Sequence, residues 1–553
     1  MSILRVTLLA ALFMIFSTIS YGQVCDIRQI PDSQNFASQD DQFVPVCKMP
    51  ADFARGLAIT GKDFVVADRH EDLLILFNSE GKRTGALEYP SYEPSSLTTD
   101  GKLLVVADRS NGRIYFLDPK TGECVRNIES PITPVVGLAS NAKGQLWVAA
   151  GGAEELQLVD QFDGTTLASI KAPSSRLTSL AFDPDGYLWA TDSSQDFIFM
   201  VDIRTGYTVF RLKSPGPVPN GLWRQGNDLY VSDYQTDTLY RADVSTLHGK
   251  TVRSDERRGH ATLFSEVENL GPGKITGGTI VLAIPTNGSN QELDSLTVTE
   301  GGGREEDQWG QQIVKYELGE LTPGQKKSVR LDGVGTFYEV STKVFPHLVG
   351  ELDQIPAEIR EHYLMDADKY RSEGEFIQGK VTEIVGDEEN PYFIARKLYD
   401  FLIGRINYQM IGGWDIAPTV IERGTGSCSE YTFAYVALCR AVGIPARYVG
   451  AMVLRGDDAS VDTAFHRWAE IYLPKVGWIP VDVNAGDKQW QGERCFSFGG
   501  IANRFLITTR GGGDSSWLKW NYNHEVAYRT QGKANVRTEG FAEWDVIEEE
   551  VEP

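Results

Sequence analysis

The sequence has little cysteine, a deficit of positive charge and no long apolar run beyond its first residues. Six cysteines in 553 residues are too few for a disulfide scaffold, and none is spaced from another cysteine or a histidine as a zinc site requires. Because 53 basic residues face 76 acidic ones, the net charge is −23, which excludes nucleic acid as a general partner. No later run approaches the ~20 apolar residues of a membrane-spanning helix. We therefore expect no metal, no cofactor and no membrane span.

The rest of the composition is that of a globular protein with several domains. Hydrophobic residues make up 41% of the chain, charged residues 23% and aromatic residues 10%, so the chain has ample side chains for a buried core. At ~100–200 residues per domain, the 553 residues predict three or four domains rather than one.

Residues 1–22 have the pattern of a secretory signal peptide. Arg5 supplies a positive charge, residues 6–16 form an apolar run of the usual length, and residues 20–22 (SYG) form a small-x-small cleavage site. A buried N-terminal helix is the alternative, but the segment lacks the amphipathic stripe of such a helix. We therefore expect a secreted or periplasmic protein whose mature chain begins at Gln23.

The cysteines are scattered along the chain. Cys25 and Cys47 lie near each other at the exported N-terminus, and we expect a disulfide between them because the compartment is oxidising. The other four lie in different segments: Cys124, Cys428, Cys439 and Cys495.

A repeat of about forty residues organises the first half of the chain. One unit, a leucine followed by a short turn and an alternating apolar strand, occurs five times, at Leu57, Leu97, Leu138, Leu180 and Leu222. Periods of ~40–50 residues with several short strands predict the blades of a propeller. The segment QFVPVC ahead of the first unit is expected to complete the last blade, which gives five blades. A sixth, degenerate blade in residues 246–265 is the alternative.

These units resemble the NHL family of β-propeller repeats, and we assign residues 23–255 to such a propeller. A propeller at this position is expected to be a recognition platform for a protein or glycan ligand. One repeat position carries an aspartate in four of the five units, with Ala150 in the third: Asp68, Asp108, Asp192 and Asp233. These aspartates either form a ring that captures a cation or polar ligand, or stabilise turns through their own backbone. We favour the turn interpretation.

The pattern changes after the propeller. Residues 260–350 alternate strands with polar turns and have the length of a small β-sandwich. From residue 355 the apolar period becomes helical, as in PYFIARKLYDFLIGRI, and this region extends to residue 530. Residues 531–553 end in an acidic stretch, and we expect them to form a flexible tail.

The segment GTGSCSEYTFAYVALCRAVGIPARY places a cysteine where its thiol is activated. Gly424, Gly426 and Ser427 form a loop, and an apolar stripe then predicts a helix that ends near Gly443. Cys428 therefore lies at the helix N-terminus, where the macrodipole stabilises a thiolate and free backbone N–H groups can receive an oxyanion.

A base and its partner are predicted on a hairpin. His466 opens an alternating strand, and Asp482 lies on the return strand WIPVDV. Pairing of Leu473 with Gly477 sets Asp482 opposite Trp468 and diagonal to His466, at a distance a carboxylate can span to an imidazole. Asp482 would then orient the ring of His466, as the third member of a triad does.

With these blocks in this order, residues 357–510 resemble the core of the transglutaminase-like superfamily. The resemblance implies Cys428 as nucleophile, His466 as base and Asp482 as its orienting partner, on an α+β fold shared with papain-like cysteine proteases. It also implies that Tyr408, in INYQ, contributes its hydroxyl to the oxyanion hole. The preceding β region resembles the small β domain that often precedes bacterial members. No calcium-binding segment of the animal enzymes is recognised, so calcium dependence is not expected.

The expected fold is thus multidomain: an all-β propeller, a small β-sandwich, and an α+β transglutaminase-like catalytic domain over residues 355–530. The expected function is that of an exported cysteine enzyme that attacks amide bonds of a protein or peptide substrate and forms a thioester. Water as acceptor makes it a protease or amidase, which we favour by analogy, whereas a lysine amine makes it a crosslinking transglutaminase. A non-catalytic binding or adhesive propeller protein with an inert transglutaminase-like domain is the third hypothesis.

Overall fold

The computed structural model of the chain describes residues 23–24, 36–38, 42–141, 143–410, 414–454, 460–462 and 465–547. The predicted signal peptide and Cys25 lie outside the described residues, so export and the Cys25–Cys47 disulfide stay predictions. Cys47 itself is half-buried and forms no disulfide with any cysteine of the described part. Within these ranges no helix combines the length and apolar character needed to cross a membrane.

The N-terminal region consists of five four-stranded antiparallel sheets; one repeat forms each of the first four, and the fifth repeat supplies three strands of the fifth. In chain order the strands of these sheets are Arg55–Thr60, Asp63–Asp68, Leu73–Phe77 and Arg83–Leu87; Pro94–Thr99, Leu104–Asp108, Arg113–Leu117 and Cys124–Glu129; Val135–Ser140, Gln145–Ala150, Glu155–Asp160 and Thr166–Lys171; Leu177–Asp183, Tyr187–Asp192, Phe197–Asp202 and Thr208–Lys213; and Pro219–Gln225, Asp228–Asp233, Thr238–Asp243 and Val44–Lys48.

The strand Val44–Lys48 completes the fifth sheet by pairing with Thr238–Asp243, as the position of QFVPVC predicts. The first strands of the five sheets contact one another in a closed cycle, in which the fifth returns to the first. The five repeat leucines are all buried on these first strands, because each sheet packs its faces against its two neighbours. This arrangement is consistent with a propeller.

A ten-stranded sheet follows, and it is larger than the predicted 260–350 domain. It is organised around one long strand, Thr251–Ala283, which pairs with Lys326–Thr342 along most of its first half. The proposed sixth blade in residues 246–265 is therefore wrong, since these residues begin this different sheet. The other strands are Gln23–Val24, Ala37–Ser38, Gln291–Val298, Gly303–Glu306, Gln312–Glu317, Ser460–Asp462, Gly500–Ile501 and His524–Val546.

The expected flexible tail is also wrong for the described part of residues 531–553. His524–Val546 is a strand that pairs with the long strand from Gly259↔Val546 to Leu282↔His524. The physical reason is that the long strand has a free edge there, and that Trp544, 1% exposed, fills the core of this sheet. The acidic composition of the last residues led the sequence analysis to predict a tail, although Trp544 in the same segment is a core residue.

The third region contains the helices. They are α1, Ala357–Tyr363; α2, Glu375–Val385; α3, Pro391–Arg405; α4, Ala417–Arg423; α5, Cys428–Ala441; and α6, Gln491–Arg494. Short 3-10 turns lie at Val244–Thr246, Pro346–Leu348 and Leu352–Gln354. Helix α5 packs against a four-stranded sheet whose order is Gly477–Val481, Phe465–Leu473, Ala446–Val453 and Phe505–Gly511.

The helical region and the five sheets share a continuous core. Helix α3 lies along the outer strand of the fourth sheet, where the hydroxyl of Tyr392 donates to the carbonyl of Val209 at 3.3 Å. The buried guanidinium of Arg396 donates to the carbonyl of Thr208 at 3.4 Å. One buried cluster runs from Trp189 and Phe210 of the fourth sheet into α3 and α5. The propeller-like region therefore supports the domain that carries the candidate site.

Candidate active site

The loop before α5 holds Cys428 at the first turn of the helix. Gly424 ends α4 with a φ of +74°, a left-handed conformation that favours glycine. The buried carboxylate of Glu430 then folds back and accepts the backbone N–H of Ser427 at 2.8 Å. Arg423 pairs with the same carboxylate at 2.8 Å, so the ion pair closes the loop over the helix start. Cys428 is thereby fixed, 9% exposed, at the positive end of the helix.

The hairpin has the predicted register. Leu473 pairs with Gly477 and Ala469 with Val481, which places Asp482 directly beyond the paired part of the return strand. Nε2 of His466 lies 2.6 Å from Oδ2 of Asp482. The second oxygen, Oδ1, accepts the backbone N–H of Ala485 at 3.0 Å, so the carboxylate is held from both sides.

The structure brings the thiol of Cys428 beside the imidazole of His466, close enough that each group shifts the pKa of the other. Since Nε2 faces Asp482, Nδ1 is the ring nitrogen left for the thiol. Burial alone would raise the pKa of Cys428, but the hydrogen bond and positive charge of His466 and the backbone N–H of Arg467 lower it below 9.0. Burial alone would lower the pKa of His466, but Asp482 and Cys428 raise it to about 10. Both shifts favour the form of the pair in which Cys428 is a thiolate and His466 an imidazolium.

Aromatic rings hold the imidazole in this orientation. The ring of Phe505 stacks on His466 with centroids 5.3 Å apart, and Trp468 lies against it at 5.7 Å. Trp468 also lines a cavity of about 480 Å³ between this sheet and the ten-stranded sheet. Packing against these two aromatic rings thus restricts the orientation of the His466 imidazole beside Cys428.

Arg467 is a site residue that the sequence analysis missed. Its side chain is fully buried on the opposite face of the strand from His466, and it pairs with no carboxylate among the described residues. Its guanidinium carbon lies 4.2–5.0 Å from the centres of four aromatic rings, those of Trp414, Phe433, Tyr448 and Tyr522. One guanidinium N–H donates to the carbonyl of Trp520. Its positive charge lowers the pKa of Cys428, so the caged cation favours the thiolate.

Two tyrosines lie near the thiol. Tyr408 pairs with Gly426 in a short parallel strand beside the Cys428 loop and is 52% exposed. Burial and then the charge of Cys428 raise the pKa of Tyr408, which places the two groups in electrostatic contact. Tyr522, also missed from the sequence, is half-buried and lies beside Ser429 in the first turn of α5. Burial and then the charge of Cys428 raise the pKa of Tyr522 as well.

The recurrent aspartates of the five sheets serve turns, as favoured above. Oδ1 of Asp68 accepts the backbone N–H of His70 at 2.7 Å, and Oδ1 of Asp108 accepts that of Ser110 at 2.8 Å. The same bond recurs at Asp192 and Asp233. No set of three or more metal-ligating side chains comes together in the part of the chain that the structure describes.

Two other cysteines of the third region have thiols that burial makes less acidic. Cys439 and Cys495 are buried, and burial raises the pKa of both thiols. Cys124 is exposed on the outer strand of the second sheet.

Comparison with known proteins identifies the domain that carries the site. Residues 378–483 match the model of the transglutaminase-like superfamily, and the match contains Cys428, His466 and Asp482. This part of the chain is therefore a transglutaminase-like domain, which supports a cysteine enzyme at the level of the family. No curated protein matches the chain significantly.

Solved structures that resemble the chain share little sequence with it. A protein from Cytophaga hutchinsonii, assigned provisionally as a cysteine protease, is 16% identical over 55% of this chain and 95% of its own, with a TM-score of 0.36. Glutaminyl cyclase from Myxococcus xanthus is 15% identical over 36% and 93%, with a TM-score of 0.31. Streptogramin B lyase is 14% identical over 35% and 65%, with a TM-score of 0.26. Likenesses at this level do not define a function.

Proposed function

We propose that this protein is an exported cysteine enzyme that transfers acyl groups from amide bonds of proteins or peptides, with water as the favoured acceptor. The observation that carries the proposal is the position of Cys428 beside His466, whose Nε2 lies 2.6 Å from Oδ2 of Asp482, with the pKa of the thiol lowered and that of the imidazole raised. A cysteine of purely structural use would be an inert buried thiol, like Cys439.

The steps follow from the geometry. The Cys428 thiolate attacks the amide carbonyl, and the carbonyl oxygen becomes an oxyanion beside the helix start. The backbone N–H of Cys428, at the first turn of α5, has no intrahelical partner and is a donor for that oxyanion. The hydroxyl of Tyr408 is the second donor we assign. The imidazolium of His466 then gives its proton to the leaving amine, and a thioester remains.

In the second half of the reaction, neutral His466 takes a proton from water as the water oxygen attacks the carbonyl carbon of the thioester. The carbon–sulfur bond then breaks, which releases the carboxylic acid and restores the Cys428 thiolate. Asp482 keeps Nε2 protonated throughout, so that Nδ1 alone exchanges the reacting proton. An amine in place of water would give a crosslink by the same steps.

We assign the five sheets as a five-bladed recognition platform for the substrate, and residues 1–22 as a signal peptide removed before Gln23. The shared core between α3 and the fourth sheet supports the first assignment, because substrate held by the platform would keep a constant position relative to Cys428. Sequencing of the N-terminus of the exported product tests the second.

The enzymatic proposal is tested with Cys428→Ala and with Cys439→Ala as a matched control on the same helix. Each protein is incubated with a peptide mixture containing lysine and glutamine, and the products are analysed by mass spectrometry. We expect cleavage by wild type and Cys439→Ala and none by Cys428→Ala, a loss of several orders of magnitude. Isopeptide crosslinks instead of cleavage would establish the amine as acceptor. Equal activity of Cys428→Ala would refute the proposal.

A reactivity measurement separates the enzyme from an inert domain. The Cys428 thiolate should react with iodoacetamide at pH 6 much faster than a free cysteine, whose thiol is protonated there. A rate at or below that of free cysteine, with the protein folded, would favour the non-catalytic binding protein.

A further inference from the structure

A pocket of about 500 Å³ lies at one end of the ring of five sheets. Each sheet pairs the start of its first strand with the end of its second, as in Pro94↔Asp108 and Leu177↔Asp192, so these positions meet at the same edge. The pocket is lined from this edge by every one of the five sheets, including Ser95, Gly151 and Asn220. It therefore lies on the axis of the ring, where the first strands converge.

The charge of this pocket is opposite to that of the protein. Three arginines line it, Arg55, Arg109 and Arg176, and no acidic side chain does, in a chain with a net charge of −23. The arginines come from three different sheets, and none forms an ion pair with a carboxylate among the residues described. The charge of Glu93 raises the pKa of Arg55, but Glu93 forms its ion pair with Arg69, at 3.6 Å.

Arg55 carries the clearest sign of a missing partner. Its Nε is buried and has no hydrogen-bond partner in the part of the chain that the structure describes. Its guanidinium carbon lies 5.8 Å from the centre of the Tyr234 ring. Burial and then the positive charges of Arg69 and Arg109 lower the pKa of Arg55. The surroundings of Arg55 therefore carry an excess of positive charge. A buried N–H of a charged group without an acceptor is costly, and an anion in the pocket would satisfy it.

The aspartates next to these arginines do not fill the pocket. Asp108 precedes Arg109, but its Oδ1 accepts the N–H of Ser110 and its Oδ2 accepts the N–H of Tyr92 at 2.8 Å. Both of its oxygens are therefore turned into the connecting loops. The carboxylate of Asp68 is used in the same way, by the backbone N–H groups of His70 and Asp52, so it forms no ion pair with Arg55.

We propose that this pocket binds a small oxyanion ligand with two or more negative charges, a polycarboxylate or a phosphate. Guanidinium groups bind both oxyanions through paired N–H groups, and three of them converging on one site favour more than one negative charge. The volume is within the range of small-molecule sites, while the negative exterior disfavours a large polyanion such as nucleic acid. This site is separate from Cys428 and does not depend on the proposed catalysis.

The proposal is tested by calorimetry on the full chain at low ionic strength, with citrate and inorganic phosphate as probes and glycerol as a neutral control. The variants are Arg109→Gln and Arg176→Gln, which change exposed side chains, and the double variant. Arg113→Gln is the matched control, because Arg113 is an exposed arginine of the second sheet that does not line the pocket. Thermal unfolding without ligand confirms that each variant is folded.

We expect one or both anions to bind to wild type and to Arg113→Gln with equal affinity. Each pocket variant should weaken that binding at least about tenfold, and the double variant should abolish it. Binding of citrate alone assigns a carboxylate ligand, and binding of phosphate alone assigns a phosphate. The proposal is overturned if neither anion binds at about 10 mM, or if the double variant binds as well as wild type.

Discussion

Replacing Asp482 by asparagine removes one charge and leaves the shape of the site intact. The amide oxygen can still accept the N–H of Ala485, so the loop is expected to keep its conformation. The pKa of His466 rises from 6.5 to about 10, and the charge of Asp482 is the largest of the contributions that raise it, against burial, which lowers it. A rise of that size corresponds to a preference for the imidazolium of more than about a thousandfold.

Most of that preference should be lost in Asp482→Asn, and with it the ion pair that keeps Cys428 as a thiolate. We expect kcat/KM on a peptide substrate to fall roughly 10²- to 10³-fold at neutral pH. When His466 is protonated less often, its positive charge lowers the pKa of Cys428 less. The thiolate therefore forms at a higher pH in the variant. The rate of inactivation by iodoacetamide, measured from pH 4 to 9, should therefore show its rise displaced upwards.

Asp487→Asn is the control, because Asp487 is an exposed aspartate of the same loop. It should leave both activity and the pH profile unchanged. An Asp482→Asn protein that is folded, retains activity within about threefold of wild type and shows an unshifted profile would refute the role assigned to Asp482.

Three further changes test other parts of the structure. Arg467→Met should raise the pKa of Cys428 and displace the iodoacetamide profile upwards, with an activity loss of about tenfold; an unshifted profile would show that the caged cation does not act on the thiol. Glu470→Gln should cost about 3 kcal/mol at pH 7 in urea unfolding, because it removes the buried negative charge that pairs with the mostly buried Arg447 and Arg510. Since those arginines depress the pKa of Glu470, its contribution is full above about pH 5 and is lost as the pH falls through 4.5 and below, so the difference between wild type and variant should shrink on acidification. Deletion of residues 524–553 should lower the melting temperature strongly by exposing the edge of the long strand, and an unchanged melting temperature would contradict the role of Trp544.

Local patterns were sufficient for much of the architecture and for the residues of the site. Each unit of about forty residues carries its own strand pattern, so five repeats predict five sheets, and the segment ahead of the first repeat supplies the fourth strand of the fifth sheet. The pairing of Leu473 with Gly477 follows from a short turn between two alternating strands, and it brings Asp482 to His466. The helix start at Cys428 is equally local. Their catalytic roles remain our proposal.

Other features depend on pairings between distant segments, and no local pattern contains them. The cage of Arg467 is built from a helix, a strand and two loops that are far apart in the sequence, so neither its burial nor its effect on Cys428 can be seen in the sequence around it. The strand His524–Val546 needs the free edge of a strand about 260 residues earlier. The arginine pocket exists only because ring closure brings Arg55, Arg109 and Arg176 to one axis. Alternation and period determine which face of an element is apolar, but the partner of that face is determined by packing over the whole chain.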